Sequence, residues 1–520
     1  MTRLTTEVLV IGGGASGAGV LRDAAMRGFA AILVERGDLA TGTTGRFHGL
    51  LHSGARYVVK DPLAAVECIH ENRVLRRIAA DCIEDTGGLF VTTPLDDPAY
   101  AEPFVAGCHA CGVPVEEIPA GEALRREPRL NPLVSRAFVV PDAAVDAWKT
   151  VWATVRSAQE HGARVLPYHE LTALRRSNGT VVGAVVRDHR AGEDVDIDAD
   201  FVVSAAGAWS GRVAALAGCD LHMMPGKGIM IAMNHRLVNT VVNRCTMPAD
   251  GDILVPIRTV SVIGTTDVHV DDPDEWDISP AEVQEMLEAG ENLVPGFRRG
   301  RALRVWGGVR PLYQTKAVAD DREITRAHTV IDHAEHDGVG RFVTITGGKF
   351  ATYRLMAEET VDAVCRQLGV ERTCRTADEP LPESEAARYY WLGGRLEHRE
   401  ETRHDDQLIC ECELVPRRQL EEAMRRRHTT SLDDIRRTVR LGMGPCQGGF
   451  CIYRATGILH GLERLSGPAA GRSLREFLQE RWKGVQPILY GDQLRQARYD
   501  DWVFQGILDV AHTPTEPATP

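Results

Sequence analysis

The sequence predicts an α/β protein with a small helical module appended near its C-terminal end, and three observations predict it. An apolar strand runs straight into a glycine-rich turn and a helix, and a second strand follows that ends in an acid. Through the middle of the chain, short apolar strands alternate with helical stretches. Beyond a charged, Pro-rich stretch from about Thr373 to Arg403, two cysteine pairs stand close together. The 520 residues are 43% apolar and 26% charged, ordinary globular usage that excludes a disordered chain, a collagen or a coiled-coil rod. Lys plus Arg number 60 and Asp plus Glu 73, a net charge of −13, so no general nucleic-acid binder is expected. A small anion in a local basic pocket is still compatible with that balance. No apolar run approaches the roughly 18 residues that a membrane-spanning helix needs. The chain enters Val8-Leu9-Val10-Ile11 almost at once, without a signal-cleavage pattern. A cytoplasmic protein is therefore expected, its 12 cysteines being thiols or metal ligands rather than disulfides.

Glu7 to Ile11 is the first strand. Ala18 to Gly28 has helical composition and stops at a glycine, and Ala31 to Val34 is a second buried strand. Gly12-x-Gly14-x-x-Gly17 lies between the first strand and the helix. Gly12 permits a tight turn, Gly14 lets the backbone approach a pyrophosphate, and Gly17 lets helix and strand pack closely. The free N–H groups of the helix start then face the pyrophosphate. Glu35 stands 18 residues after Gly17, at the end of the second strand, where a carboxylate accepts hydrogen bonds from a ribose diol. All of this fits within a βαβ-sized unit of about 30 residues, so the turn is read as a dinucleotide site.

A glycine- and hydroxyl-rich loop from Gly37 to Tyr57 follows the acid. Such a loop can lie along a second phosphate and a flavin ring, with Thr43, Thr44, His52 and Ser53 as its contacts. Val202 to Trp209 reads as a strand ending in small residues, Ala206 and Gly207 among them, which allow close backbone approach. Together with Trp306-Gly307-Gly308-Val309-Arg310-Pro311 and Thr346-Gly347-Gly348-Lys349, these motifs resemble the FAD-dependent glycerol-3-phosphate dehydrogenases over roughly residues 1–370. Phe47 departs from the pattern, standing where the resemblance implies Asn. The resemblance implies a glutathione-reductase-like, Rossmann-type FAD-binding domain interrupted by an inserted α+β substrate domain. The FAD-binding segments would be about 1–60, 150–215 and 325–370, with Gly347 and Gly348 among the flavin contacts. The substrate domain would be about 61–149 and 216–324. Residues 371–404 are expected to be a linker, and 466–520 an extension with a disordered tail.

A dianionic phosphate needs two or three fixed cations, preferably arginine. Arg56, Arg310 and Lys349 lie in glycine-flanked segments and match positions that the resemblance implies contact substrate; Arg310 is also placed near the reacting hydroxyl. Alcohol oxidation further needs a proton acceptor, and imidazole suits neutral pH. His48, His52 and His235 are the candidates: His52 lies nearest the expected flavin loop, and His235 lies in a segment expected to face the substrate.

Cys410-x-Cys412 is followed after 33 residues by Cys446-x₄-Cys451. Four thiolates are the ligand set of zinc or of a [2Fe–2S] cluster, and these spacings fit zinc poorly. Glycines around Cys446 allow backbone N–H groups to turn toward sulfur. Residues 405–465 resemble the bacterioferritin-associated ferredoxin-like [2Fe–2S] domain, which recurs in the anaerobic type of the same dehydrogenase family. Cys108 and Cys111 look metal-like but fall inside a helical pattern, and with the remaining cysteines they are read as buried structural thiols.

The resemblance implies oxidation of sn-glycerol 3-phosphate to dihydroxyacetone phosphate by hydride transfer to FAD. Electrons would continue through the [2Fe–2S] cluster to membrane-anchoring and electron-transfer partner subunits and to quinone, with any membrane contact peripheral. A second enzyme class is an FAD/[2Fe–2S] dehydrogenase of an amino acid, opine or 2-hydroxy acid. A non-enzymatic alternative, an iron-handling or redox-sensing module, rests on the cysteine segment alone.

Overall fold

Alternation along the first strand sets up the main layer. In the computed structural model, which describes residues 2–313, 327–401, 406–427, 429, 431–462 and 464–514, that strand is Thr2–Ile11. Val8 and Val10 point into one apolar cluster, and Leu9 and Ile11 into another on the opposite face. A strand buried on both faces is apolar throughout, as in parallel sheets. Ala31–Glu35 and Glu193–Ser204 flank it in parallel, with Ile11 opposite both Val34 and Ser204. Phe342–Gly347 continues the parallel run beside Glu193–Ser204. The C-terminal ends of four strands therefore share one edge, where ligands of open α/β sheets bind. The helices Ala15–Met26, Ala147–Glu160 and Tyr353–Leu368 cover one face. A turn at Asn178-Gly179 joins His169–Ser177 to Thr180–Asp188, both residues having positive φ.

A second, nine-stranded sheet stands against that edge. Its longest strands, Met223–Met233 and Ala302–Tyr313, pair antiparallel with Gly226 opposite Arg310. The helix Pro280–Leu293 covers the sheet through Val283, Met286 and Leu287. The helix Pro62–Ile78 departs from the expected partition: Cys68, Val74, Leu75 and Ile78 belong to the first core rather than to that of the second sheet. Cys108 and Cys111 are buried on the helix Ala101–Cys111 in a satellite core.

The expected linker is packed down rather than extended. Leu381 is fully buried in the first core, and Arg22 donates to the carbonyls of Thr376 and Glu379 at 3.1 and 2.6 Å; residues 402–404 lie outside the described residues. The C-terminal module is helical, with a two-stranded ribbon of Leu408–Cys410 and Val415–Pro416. Its core includes Ala470, Leu474, Phe477, Phe504 and Val510, so residues 466–510 complete the module instead of trailing behind it. A helix such as Cys451–Gly461 has an apolar stripe that needs cover, and the helix Gly467–Trp482 supplies it. The end of the expected disordered tail, 515–520, lies outside the described residues. Among the described residues, no helix is long and apolar enough to cross a membrane.

Candidate active site and cysteine centre

A cleft of about 1110 Å³ opens where the two sheets meet. Its floor is the glycine turn. Gly12 has φ +107°, and a Cβ there would lie 2.5 Å from the carbonyl oxygen of Ala205. At Gly17 a Cβ would lie 1.9 Å from the carbonyl oxygen of Gly12, so only glycine lets the helix Ala15–Met26 start this close to the strand. Gly12 and Gly14 line the cleft, whereas Gly17 lies beneath it as the helix-to-strand contact. Ala206, Gly207, Gly347 and Gly348, at the ends of neighbouring strands, line it too. Glu35 also reaches it, and its carboxylate accepts the N–H groups of Gly13 and Gly37 at 2.7 and 2.9 Å. Burial pushes this carboxyl above its usual range, while the two backbone donors pull it back.

The Gly37–Tyr57 loop spans both sheets. The Thr44 hydroxyl accepts the N–H of Ala15 at 3.0 Å, laying the loop across the helix start. The Thr43 hydroxyl donates to the carbonyl of Val309 in the second sheet. Phe47, the departure from the family pattern, stacks on Phe350 with ring centroids 5.3 Å apart, bringing the Lys349 segment against the loop. Ser53 does not reach the cleft. Its N–H donates to Asp142 at 2.7 Å and it is fully buried, because the loop turns it inward to hold a buried carboxylate.

Arg56, Arg310 and Lys349 all line the cleft, close to His48 and His52. Arg56 pairs with the fully buried carboxylate of Asp252 and donates to the carbonyl of Ala249 at 3.3 Å. Arg310 donates to Asp267 at 2.8 Å, to the Thr265 hydroxyl at 2.6 Å and to the Thr266 carbonyl at 2.8 Å. The ammonium of Lys349 lies 4.8 Å from the centre of the Tyr57 ring. Asp252 and Asp267, which hold both guanidinium groups in place, were missed by sequence reasoning. They lie 196 and 43 residues from their partners, and no local pattern marks them.

His48 and His52 both face the cleft, ring centroids 6.1 Å apart. Nδ1 of His48 accepts the N–H of Leu50 at 3.2 Å, so the neutral ring carries its proton on Nε2 and presents a donor. Burial, with Arg56 and Arg310 nearby, lowers the His48 pKa to about 3. Burial, with His48, Arg56 and Lys349 as neighbours, holds His52 well below 6.5. Both rings are neutral at neutral pH. His235 is excluded from this group: it is exposed in the turn after Met233. The register puts Gly226 opposite Arg310 at the cleft, and Met233 is seven residues further along, roughly 23 Å at 3.3 Å per residue.

In the C-terminal module, Cys410 ends a strand, Cys412 follows in the turn, Cys446 lies in a glycine-rich turn and Cys451 opens a helix. Cys410 contacts Cys451, Cys412 contacts Cys446, and Cys446 contacts Cys451. The N–H groups of Gly442 and Glu413 donate to Cys410, and those of Gly448 and Phe450 to Cys446, which favours thiolates. No three of these sulfurs lie within 4.8 Å of one another, whereas a tetrahedral zinc site with bonds of ~2.3 Å closes all four within that span. An elongated set of four thiolates suits two bridged irons.

The glycine floor, the carboxylate at the second strand end and the cysteine set define an FAD-dependent oxidoreductase that carries a [2Fe–2S] cluster. The family model "FAD dependent oxidoreductase" matches residues 7–363, and "BFD-like [2Fe-2S] binding domain" matches residues 408–460. The chain belongs to the family of the anaerobic glycerol-3-phosphate dehydrogenase A subunits. It is 44% identical to that subunit from Escherichia coli (strain K12) over 97% of each chain. It is also 44% identical to subunit A1 from Haloferax volcanii, over 94% of this chain and 88% of the relative. Its fold is similar to that of the glycerol-3-phosphate dehydrogenase from Bacillus halodurans complexed with FAD, with a TM-score of 0.58 and 20% identity over 99% of this chain and 96% of that one.

Proposed function

We propose that the chain oxidises the secondary hydroxyl of sn-glycerol 3-phosphate to the ketone of dihydroxyacetone phosphate. The observation that carries this reading is the convergence of Arg56, Arg310 and Lys349 on the cleft beside a neutral His48 and His52, in the same cleft as the glycine floor. Bound there, FAD supplies the hydride acceptor and the [2Fe–2S] cluster a one-electron relay. Gly12, Gly14, Ala206, Gly207, Gly347 and Gly348 leave room for the dinucleotide, and Glu35 faces its ribose. The three cations hold the substrate phosphate, and the two arginines are kept in place by Asp252 and Asp267. His52 takes the hydroxyl proton on a ring nitrogen; His48, whose Nδ1 is occupied by the Leu50 N–H, donates from Nε2 toward the substrate oxygen.

Electrons leave through the C-terminal module to partner subunits at the membrane and to quinone. Phe450, Tyr453 and Tyr499 support this part of the reading, being exposed beside Cys446 and Cys451, where a partner gains contact. The test is anaerobic mixing of the holoprotein with glycerol 3-phosphate while the flavin absorbance is followed. Rapid bleaching is expected with this substrate. Bleaching instead by amino acids, opines or 2-hydroxy acids would replace the phosphate reading with a carboxylate one.

A further inference from the structure

A second cavity, of about 1460 Å³, lies between the flavin region and the cysteine module. Arg46, Phe47 and His48, which also line the first cleft, face it from one side; Met443 and Gln447, on either side of Cys446 in the chain, face it from the other. Three arginines on its wall, Arg46, Arg304 and Arg481, have no carboxylate partner among the described residues. Arg481 is only 8% exposed, and its Nε has no hydrogen-bond partner. Nε of Arg304 is likewise buried and unpartnered, while its Nη2 donates to the carbonyl of Glu480 at 3.1 Å. The indole N–H of Trp148, another lining residue, lies against Gly45 and is a third buried donor without an acceptor.

The acids nearby are already engaged. Asp433 pairs with Arg436 and Arg437, Asp38 with Arg437, Asp146 with Arg258 and Arg440, and Glu480 with Lys483. Asp277 and Glu476 are exposed where they line the cavity. Burial, with Arg436 and Arg46 as like-charged neighbours, lowers the Arg304 pKa to about 10 against the opposing pull of Asp433 and Glu480. Guanidinium groups crowded together with unsatisfied N–H donors are unfavourable in a protein interior. One oxyanion relieves both conditions, because a phosphate oxygen accepts several N–H bonds and matches the arginine fork.

We propose that this cavity binds a phosphate-class oxyanion between Arg304 and Arg481, at the junction of the flavin region and the cysteine module. The proposal stands on these donors and not on the reaction assigned above. The ligand is free phosphate or the phosphoryl group of a small organic phosphate.

Equilibrium dialysis of the full-length holoprotein against radiolabelled inorganic phosphate, at constant ionic strength, tests it. An Arg310→Gln background weakens phosphate binding in the first cleft, where Arg56 and Lys349 remain, and the dependence on Arg481 and Arg304 then distinguishes the second site. One phosphate equivalent is expected to persist in that background. Adding Arg481→Gln is expected to weaken its binding tenfold or more, with flavin and iron contents unchanged. Arg304→Gln is expected to do the same and carries the test if the Arg481 variant does not accumulate. Displacement of the label by unlabelled glycerol 3-phosphate assigns the site to phosphomonoesters in general; retention of the label assigns it to the free anion. The proposal is overturned if the background variant binds no phosphate, or if the binding that persists is indifferent to both substitutions.

Discussion

Arg310 has two roles in this structure that a paired substitution separates. It faces the cleft as a cation, and it neutralises Asp267, whose side chain is 10% exposed. A charge-assisted hydrogen bond contributes about 1.5–3 kcal/mol, and about 1.4 kcal/mol corresponds to a tenfold change in rate. Two such bonds to a substrate phosphate therefore predict a fall in kcat/KM of about 100-fold or more in Arg310→Ala. The same change takes the Arg310 guanidinium away from Asp267, and removing one member of a buried pair costs about 3–5 kcal/mol. Arg310→Ala/Asp267→Ala removes both charges and is expected to recover most of the lost thermal stability. Its kcat/KM for glycerol 3-phosphate, measured with a dye that accepts directly from flavin, is expected to stay about 100-fold down. A double variant with activity near wild type would refute the reasoning, because Arg310 would then serve only to neutralise Asp267.

Glu35→Ala leaves the N–H groups of Gly13 and Gly37 without their acceptor, at about 1–3 kcal/mol each, and is expected to lose flavin on dialysis; full occupancy afterwards would count against the ribose assignment. Cys446→Ser is expected to lose iron, visible absorbance of the cluster and its paramagnetic signal on reduction. Glycerol 3-phosphate should still bleach its flavin, and quinone reduction with partners present should collapse; normal quinone reduction by this variant would exclude the relay. The two buried histidines make stability fall in acid. His48 and His52 stay neutral in the folded state, but each takes up a proton in the unfolded chain below about pH 6.5. Stability is thus complete above pH 6.5 and is lost as pH falls below it, by about 1.4 kcal/mol per unit for each ring that stays neutral, for His48 down to about 3. His48→Gln is expected to melt with a shallower dependence on pH between 6.5 and 5, and an unchanged slope would mean that the ring is protonated in the fold.

The parts of the site that were legible in the sequence are those built from consecutive residues. Gly12, Gly14 and Gly17 demand a backbone approach that no side chain permits, and that demand is local, so their spacing announces the turn, the helix start and the strand edge. The two cysteine pairs likewise carry their geometry in a few neighbouring glycines, whose N–H groups do turn toward Cys410 and Cys446. Parallel pairing of apolar strands then brings Ala206, Gly207, Gly347 and Gly348 to the same edge.

Only the tertiary structure decided which long-range partners complete the site. Asp252 and Asp267 reach Arg56 and Arg310 through strand pairings and loops formed across 196 and 43 residues, so no window of sequence contains both members. His235 and Ser53 illustrate the same limit from the other side. Strand register carries the turn bearing His235 away from the cleft, and a buried carboxylate, Asp142, turns Ser53 inward. The contrast between His48 and His52 rests on one backbone N–H from Leu50. Residues 466–510 join the cysteine module because the apolar stripe of the helix Cys451–Gly461 needs a cover that its own segment does not supply. Short-range steric and spacing rules are written residue by residue along the chain. Charge pairing, proton placement and the cover of an apolar face depend on which distant segments the fold brings together, and these the three-dimensional structure alone decided.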